Sequence, residues 1–314
     1  MVSRLRSARA LALALLLVVV LSVSGCNILI GGQATGSSST STATPTLPKL
    51  DRQVVRTSTA VAAAGAGFAA HVKCPAGKVS VGGGYYPDDD ILVTASAPVA
   101  DATNPTSSWE VYGSNHSLQT GSVYAYAVCV DTGAASGWQV VRTSTTVAAA
   151  PDQGTAGLGK TGFAAHVKCP AGTVSVGGGY YPDPGIDVTA SAPVADVKNP
   201  TSSWEVYGYN RVETTQSIYA YAVCVSASSA PGREVVRTTS TVVSGLQGNF
   251  AAHVKCPAGT VSVGGGYYPD PGIEVMASYP IADVTNPTSS WEVYGYNFST
   301  TTQSVYAYAV CVKS

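Results

Sequence analysis

The chain has 314 residues, a formal net charge of −1, 45% hydrophobic residues and 11% charged ones. That hydrophobic share excludes wholesale disorder, and the sparse, near-neutral charge offers no electrostatic basis for binding nucleic acid. Thirty-three Gly and 18 Tyr against only four Phe favour strands and turns over helices, and the length suffices for two or three domains.

Residues 1–25 open with Arg4, Arg6 and Arg9, followed by an apolar run from Ala10 to about Val20. The run is too short to span a bilayer comfortably and has the character of a signal peptide. It ends in Val23-Ser24-Gly25-Cys26, which resembles the lipobox of bacterial lipoproteins: an aliphatic residue, two small ones, then Cys. The resemblance implies that Cys26 carries a diacylglyceryl thioether and becomes the first of 289 mature residues. The leader holds three of the 17 basic residues and none of the 18 acidic ones, so the mature charge is −4. The other reading is an ordinary secreted protein with a spare cysteine. Residues 26–50 form the anchor and a tether; 31–48 read GGQATGSSSTSTATPTLP, with no charge and no aromatic ring. Such a segment is flexible and cannot bury a core. The expected location is the cell membrane, lipid-anchored and facing the extracellular or periplasmic side.

The rest of the chain is one unit written three times, over residues 51–137, 138–232 and 233–314. Cys74-Pro75-Ala76-Gly77 recurs at Cys169 and Cys256, and the run Phe163–Ile186 is identical to Phe250–Ile273. In each copy two cysteines stand 55 residues apart: Cys74 and Cys129, Cys169 and Cys224, Cys256 and Cys311. Equal spacing in an exported protein argues for one disulfide per unit, although sequence alone leaves connectivity open. Nine extra residues around Pro151–Lys160 in the second copy read as a surface loop.

In chain order the first unit predicts strands at Val54–Ala62, Phe68–Cys74, Lys78–Tyr86, Ile91–Ala97, Ser108–Tyr112 and Val123–Val130. Each alternates with a period of two. Val123, Ala125, Ala127 and Cys129 share the inner face, with Tyr124 and Tyr126 opposite. The Cys-Pro-Ala-Gly turn, with Pro second and Gly fourth, predicts a hairpin. Gly82-Gly83-Gly84 sits between strands, so it reads as a bulge or close backbone approach and not as a phosphate cradle. An inward Trp (Trp109, Trp204, Trp291) beside a disulfide suggests three tandem, small, disulfide-bonded β-sandwich-like repeats in an all-β protein. The alternative is one closed pseudo-three-fold body such as a β-prism; separate disulfides and short joints favour separate or loosely packed units. The unit also resembles repeats of uncharacterised exported bacterial proteins through its Cys-Pro-Ala-Gly turn, Gly run and closing Tyr-Ala-Tyr-Ala-Val-Cys strand. That resemblance implies no activity.

His71/Glu110, His166/Glu205 and His253/Glu292 repeat on outward positions and read as solvent-facing residues. Asp101, Asp196 and Asp283 precede turns at Asn104, Asn199 and Asn286, and Asp88-Asp89-Asp90 aligns with Asp-Pro-Gly turns, so neither set suggests a metal. No catalytic constellation, cofactor site or metal site is predicted. The candidate ligand-binding residues are Tyr112, Tyr124, Tyr126, Tyr207, Tyr219, Tyr221, Tyr294, Tyr306 and Tyr308. Alternation puts them outside, where stiff amphipathic rings suit sugar or protein surfaces. The competing role is cross-strand packing that only stabilises the sheets. The loops Gly113–Ser122, Gly208–Ser217 and Gly295–Ser304 differ most among copies, as in binding modules on a repeated frame. The expected protein is a surface-anchored, multivalent binder or adhesin for a glycan, cell-wall or protein ligand, not an enzyme; a structural envelope spacer is the alternative.

Overall fold

A computed structural model describes residues 50–99, 108–151, 159–194, 203–245, 248–281 and 290–314. Cys26, the tether and the Asp-to-Asn turns at 101–104, 196–199 and 283–286 lie outside the described residues. The first repeat supplies β1 (Gln53–Val61), β2 (Gly67–Lys73), β3 (Lys78–Pro87), β4 (Ile91–Pro98), β5 (Ser108–Asn115) and β6 (Gly121–Asp131). The second supplies β7 (Gln139–Val147), β8 (Thr161–Lys168), β9 (Thr173–Pro182), β10 (Ile186–Pro193), β11 (Ser203–Asn210) and β12 (Gln216–Ser226). The third supplies β13 (Glu234–Val242), β14 (Asn249–Lys255), β15 (Thr260–Pro269), β16 (Ile273–Ile281), β17 (Ser290–Asn297) and β18 (Gln303–Lys313).

Within a repeat, β1-β6-β3 and β2-β5-β4 are two antiparallel half-sheets that pack face to face. Val123, Ala125 and Ala127 on one half, and Val72 and Val111 on the other, are fully buried between them. Cys74–Cys129 joins the two halves, and Cys169–Cys224 and Cys256–Cys311 do the same in the other copies. Trp109, 1% exposed, lies across the sandwich on Gly83, where any Cβ would collide with the indole. Its Nε1–H donates to Ser96 Oγ at 2.9 Å, satisfying the buried indole. Each repeat is therefore a disulfide-bonded β-sandwich.

The sandwiches do not stand apart, which corrects the expectation of separate or loosely packed units. Each half-sheet runs on into that of a neighbour, giving three six-stranded sheets: β1-β6-β3-β16-β17-β14, β2-β5-β4-β9-β12-β7 and β13-β18-β15-β10-β11-β8. The third repeat joins the first in this scheme, so the ring of repeats closes, while each sheet keeps two free edges. The seams are narrow, at Ser278↔Tyr85, Ser96↔Tyr180 and Ser191↔Tyr267.

The glycine run makes this assembly fit. A Cβ on Gly82 would strike the backbone of Val263, one on Gly264 that of Val176, and one on Gly177 that of Val81, so three strands touch backbone to backbone around a common axis. A Cβ on Gly84 would meet Tyr279 Cα at 2.9 Å across the seam. The register of β3 against β6 also shifts between Ser80 and Gly82, so bulge and close approach are both present. Beside this contact the buried hydroxyls of Tyr85, Tyr180 and Tyr267 stand 3.3–3.4 Å from one another, a ring of three phenols on the axis.

The bulge carbonyls are capped by the following repeat. Trp138 Nε1–H donates to Ser80 O at 2.8 Å, and Arg233 Nε–H donates to Ser175 O. Arg52, at the start of the first repeat, donates to Ser262 O in the third and completes the ring. Burial lowers the pKa of Arg52 and Arg233 to about 10.

Candidate functional site

Each six-stranded sheet presents an equivalent row of residues on its outer face, crossing the seam between two repeats. On the sheet of β1 and β14 the row is Arg56, Tyr126, Gly84, Tyr279, Glu292 and His253. The matching rows are Arg142, Tyr221, Gly179, Ala97, Glu110 and His71, and Arg237, Tyr308, Gly266, Ala192, Glu205 and His166. Two repeats thus build each row, which no single repeat contains.

At one end an arginine covers a tyrosine of the adjacent row: Arg56 over Tyr124 and Arg142 over Tyr219 at 5.0 Å, Arg237 over Tyr306 at 5.1 Å. At the other end the histidine and glutamate are cross-strand partners and pair. His71 Nδ1 is 2.8 Å from Glu110 Oε1, His166 Nδ1 is 2.9 Å from Glu205 Oε1, and His253 Nδ1 is 3.4 Å from Glu292 Oε2. The imidazoles are exposed while their Nδ1 atoms face the carboxylates. Tyr112 donates its hydroxyl to Glu110 Oε2 at 2.9 Å, and Tyr207 to Glu205 Oε2 at 3.0 Å. Burial and these carboxylate bonds push both phenols up to about 12.

The nine predicted tyrosines fall into three sets. Tyr112, Tyr207 and Tyr294 are half-buried on the outer faces, as are Tyr124, Tyr219 and Tyr306 beneath their arginines. Tyr126, Tyr221 and Tyr308 are only 7%, 9% and 9% exposed, which corrects the expectation that they lie open. Alternation points them outward, but neighbouring side chains roof them. Tyr279 stacks on Tyr126 with centroids 5.3 Å apart and planes at 26°, and the arginine of the edge strand flanks each ring.

Other residues of these clusters escaped the sequence reading. Tyr181 and Tyr268, 40% and 41% exposed, are the most open tyrosines among the described residues. They precede Pro in each copy, one position after the axial tyrosine. Tyr279 stands where the other copies have Ala97 and Ala192, a difference visible by aligning the repeats. Asn115, Asn210 and Asn297 are fully buried; Asn115 Nδ2 donates to Val61 O and Gln119 O at 3.1 and 2.9 Å and so holds the variable hairpin against the first strand. Those hairpins lie at the strand ends away from the Cys-Pro-Ala-Gly turns and expose different residues, Leu118 at 90% and Phe298 at 55%. In the second copy the same place carries an Asp187–Arg211 ion pair. Asp88 Oδ2 accepts from Ser122 N–H at 2.7 Å, and Asp183 and Asp270 repeat the contact, a turn-closing role.

Chemically, the faces offer aromatic walls for stacking, a carboxylate to accept hydroxyl protons and an outward imidazole. No family model matches the chain, and no curated protein matches it in sequence.

Proposed function

We propose that the protein is an exported, lipid-anchored binding protein of the cell surface that takes glycan or cell-wall polymer on its outer faces. The carrying observation is the aromatic and carboxylate row, present on all three faces, with Tyr181 and Tyr268 open to solvent. Ring stacking with a nearby carboxylate acceptor suits hydroxylated rings. Repetition multiplies weak sites into useful avidity, whereas a catalyst needs one well-built site. Cys26 acylation and the uncharged tether supply the anchor in this reading. A structural spacer is the second reading, favoured by the burial of Tyr126, Tyr221 and Tyr308 across the seams. Retention of full-length protein on immobilised glycans and purified cell walls supports the binder, and absence of retention on every surface supports the spacer.

A further inference from the structure

The three faces are filled in different ways. On the sheet of β3 and β16, Tyr279 occupies the space beside the seam. Its ring stacks on Tyr126, meets Tyr86 edge-on at 5.3 Å, and its hydroxyl bonds to Glu292. On the other two sheets this position is Ala97 or Ala192, the register partner of Glu110 or Glu205. There the tyrosine of the next row leans across: Tyr112 meets Tyr181, and Tyr207 meets Tyr268, each edge-on at 5.4 Å, with the hydroxyl on the glutamate. Where Tyr279 already holds the space, the equivalent Tyr294 stands aside and donates to Tyr296 at 3.2 Å.

One molecule therefore displays the same tyrosine in two places, over the slot and out of it. It also displays the slot holding a hydroxylated six-membered ring. Tyr207 has Tyr209 where Tyr294 has Tyr296, so that gate has the same landing partner; beside Tyr112 the position is Ser114, so this gate swings out without a phenol to land on. The walls differ accordingly: Tyr181 and Tyr268 are 40% and 41% exposed, while Tyr86 is half-buried beneath Tyr279.

We propose that Ala97 and Ala192 floor two slots for a pyranose unit of a glycan, gated by Tyr112 and Tyr207, while Tyr279 blocks the third. The proposal rests on the glycan-binding reading above and assigns it a place and a stoichiometry. When the gate swings out, the ligand ring lies against Tyr221 or Tyr308 and takes the freed Glu110 or Glu205 oxygen with a hydroxyl. The adjacent His71 or His166 offers a second polar group on the same rim. A phenol has one hydroxyl to spend on these two groups; a pyranose has neighbouring hydroxyls for both. Opening the gate costs the tyrosine–glutamate bond, so single-site affinity is weak and binding of a polymer relies on both slots.

The test is titration calorimetry of the full-length protein in detergent with tetrasaccharides of N-acetylglucosamine, glucose, galactose and mannose, with N-acetyltyrosinamide as phenolic probe. At least one tetrasaccharide is expected to bind at two sites per chain. Ala97→Tyr with Ala192→Tyr, which copies the Tyr279 arrangement, should weaken binding about tenfold or more at an unchanged melting temperature. Tyr279→Ala should raise the stoichiometry to three. If the double variant folds poorly, Tyr279→Ala decides alone, and a stoichiometry that stays at two overturns the slots. Sugar binding untouched by these variants also overturns the slots yet leaves glycan binding standing. No sugar binding up to millimolar concentration overturns both. Binding of N-acetyltyrosinamide without any sugar replaces the glycan with a protein ligand.

Discussion

Gly84→Ala probes the seam between the third and first repeats by pressing a methyl group onto the Ser278 carbonyl of the facing strand. The added methyl would run into the Ser278 carbonyl oxygen and stand 2.9 Å from Tyr279 Cα and 3.0 Å from the Ser278 carbonyl carbon. Ordinary carbon contacts need about 3.5–4.0 Å and the carbonyl oxygen lies closer than either carbon, so the two backbones must part by roughly 1 Å or more. Both neighbours are main chain and neither can rotate away. Strand hydrogen bonds stretched that far leave the favourable range, and the seam is only one register pair wide. Overpacking of this kind costs about 1–3 kcal/mol. One or two weakened hydrogen bonds add about 0.5–1.5 kcal/mol each, for roughly 1.5–6 kcal/mol in all. Urea unfolding followed by tryptophan fluorescence measures it, since Trp109 and Trp291 sit in the two repeats the seam joins. Gly133→Ala is the control: its Cβ meets nothing within 4 Å, so a change within about 0.5 kcal/mol is expected. If Gly84→Ala is as stable as that control, the repeats do not share a sheet there and the fused-sandwich account is wrong.

Cys26→Ala should move the protein from the membrane fraction to the soluble fraction; unchanged partition would remove the lipid anchor from the account. Alkaline titration should show tyrosines that resist ionisation. Tyr112 and Tyr207 are raised to about 12, and burial also raises Tyr85, Tyr180 and Tyr267 above the usual 10. The folded state then holds protons that the unfolded state releases, so this stability is fully present below pH 10 and is lost as the pH climbs towards 12 and beyond. Part of the tyrosinate absorbance should accordingly appear only as near-ultraviolet circular dichroism collapses. Complete ionisation near pH 10 with the fold intact would contradict the burial of the phenol ring.

Local structure was open to reading because it is written in period two. Phe68, Ala70 and Val72 against His71 and Lys73 identify β2, and the repeated 55-residue spacing points to the disulfides that form. Which half-sheets join was not legible. β4 of one copy carries almost the same pattern as β10 and β16, so nothing in the alternation says whose β3-type strand it meets. The seam is set by backbone approach at glycines, a feature the sequence marks only as permission for contact. The tyrosines fail for a related reason. Parity gives the correct face to Tyr126, but its burial comes from Arg56 on an edge strand and Tyr279 in another repeat. Tyr279 itself was in plain view as Ala-Ser-Tyr-Pro against Ala-Ser-Ala-Pro, a departure that acquires meaning only once the seam places it beside Tyr126.

The binding reading is met most directly by removing the two open rings, Tyr181→Ala with Tyr268→Ala, and measuring both retention on cell walls and glycan supports and the melting temperature of the full-length protein. Rings that are 40% and 41% exposed contribute less to folding than core rings do. The account predicts retention reduced about tenfold or more, because both sites lose a wall at once, with only a small fall in melting temperature. Unaltered retention together with a clear drop in melting temperature would contradict it and leave these tyrosines as braces between repeats.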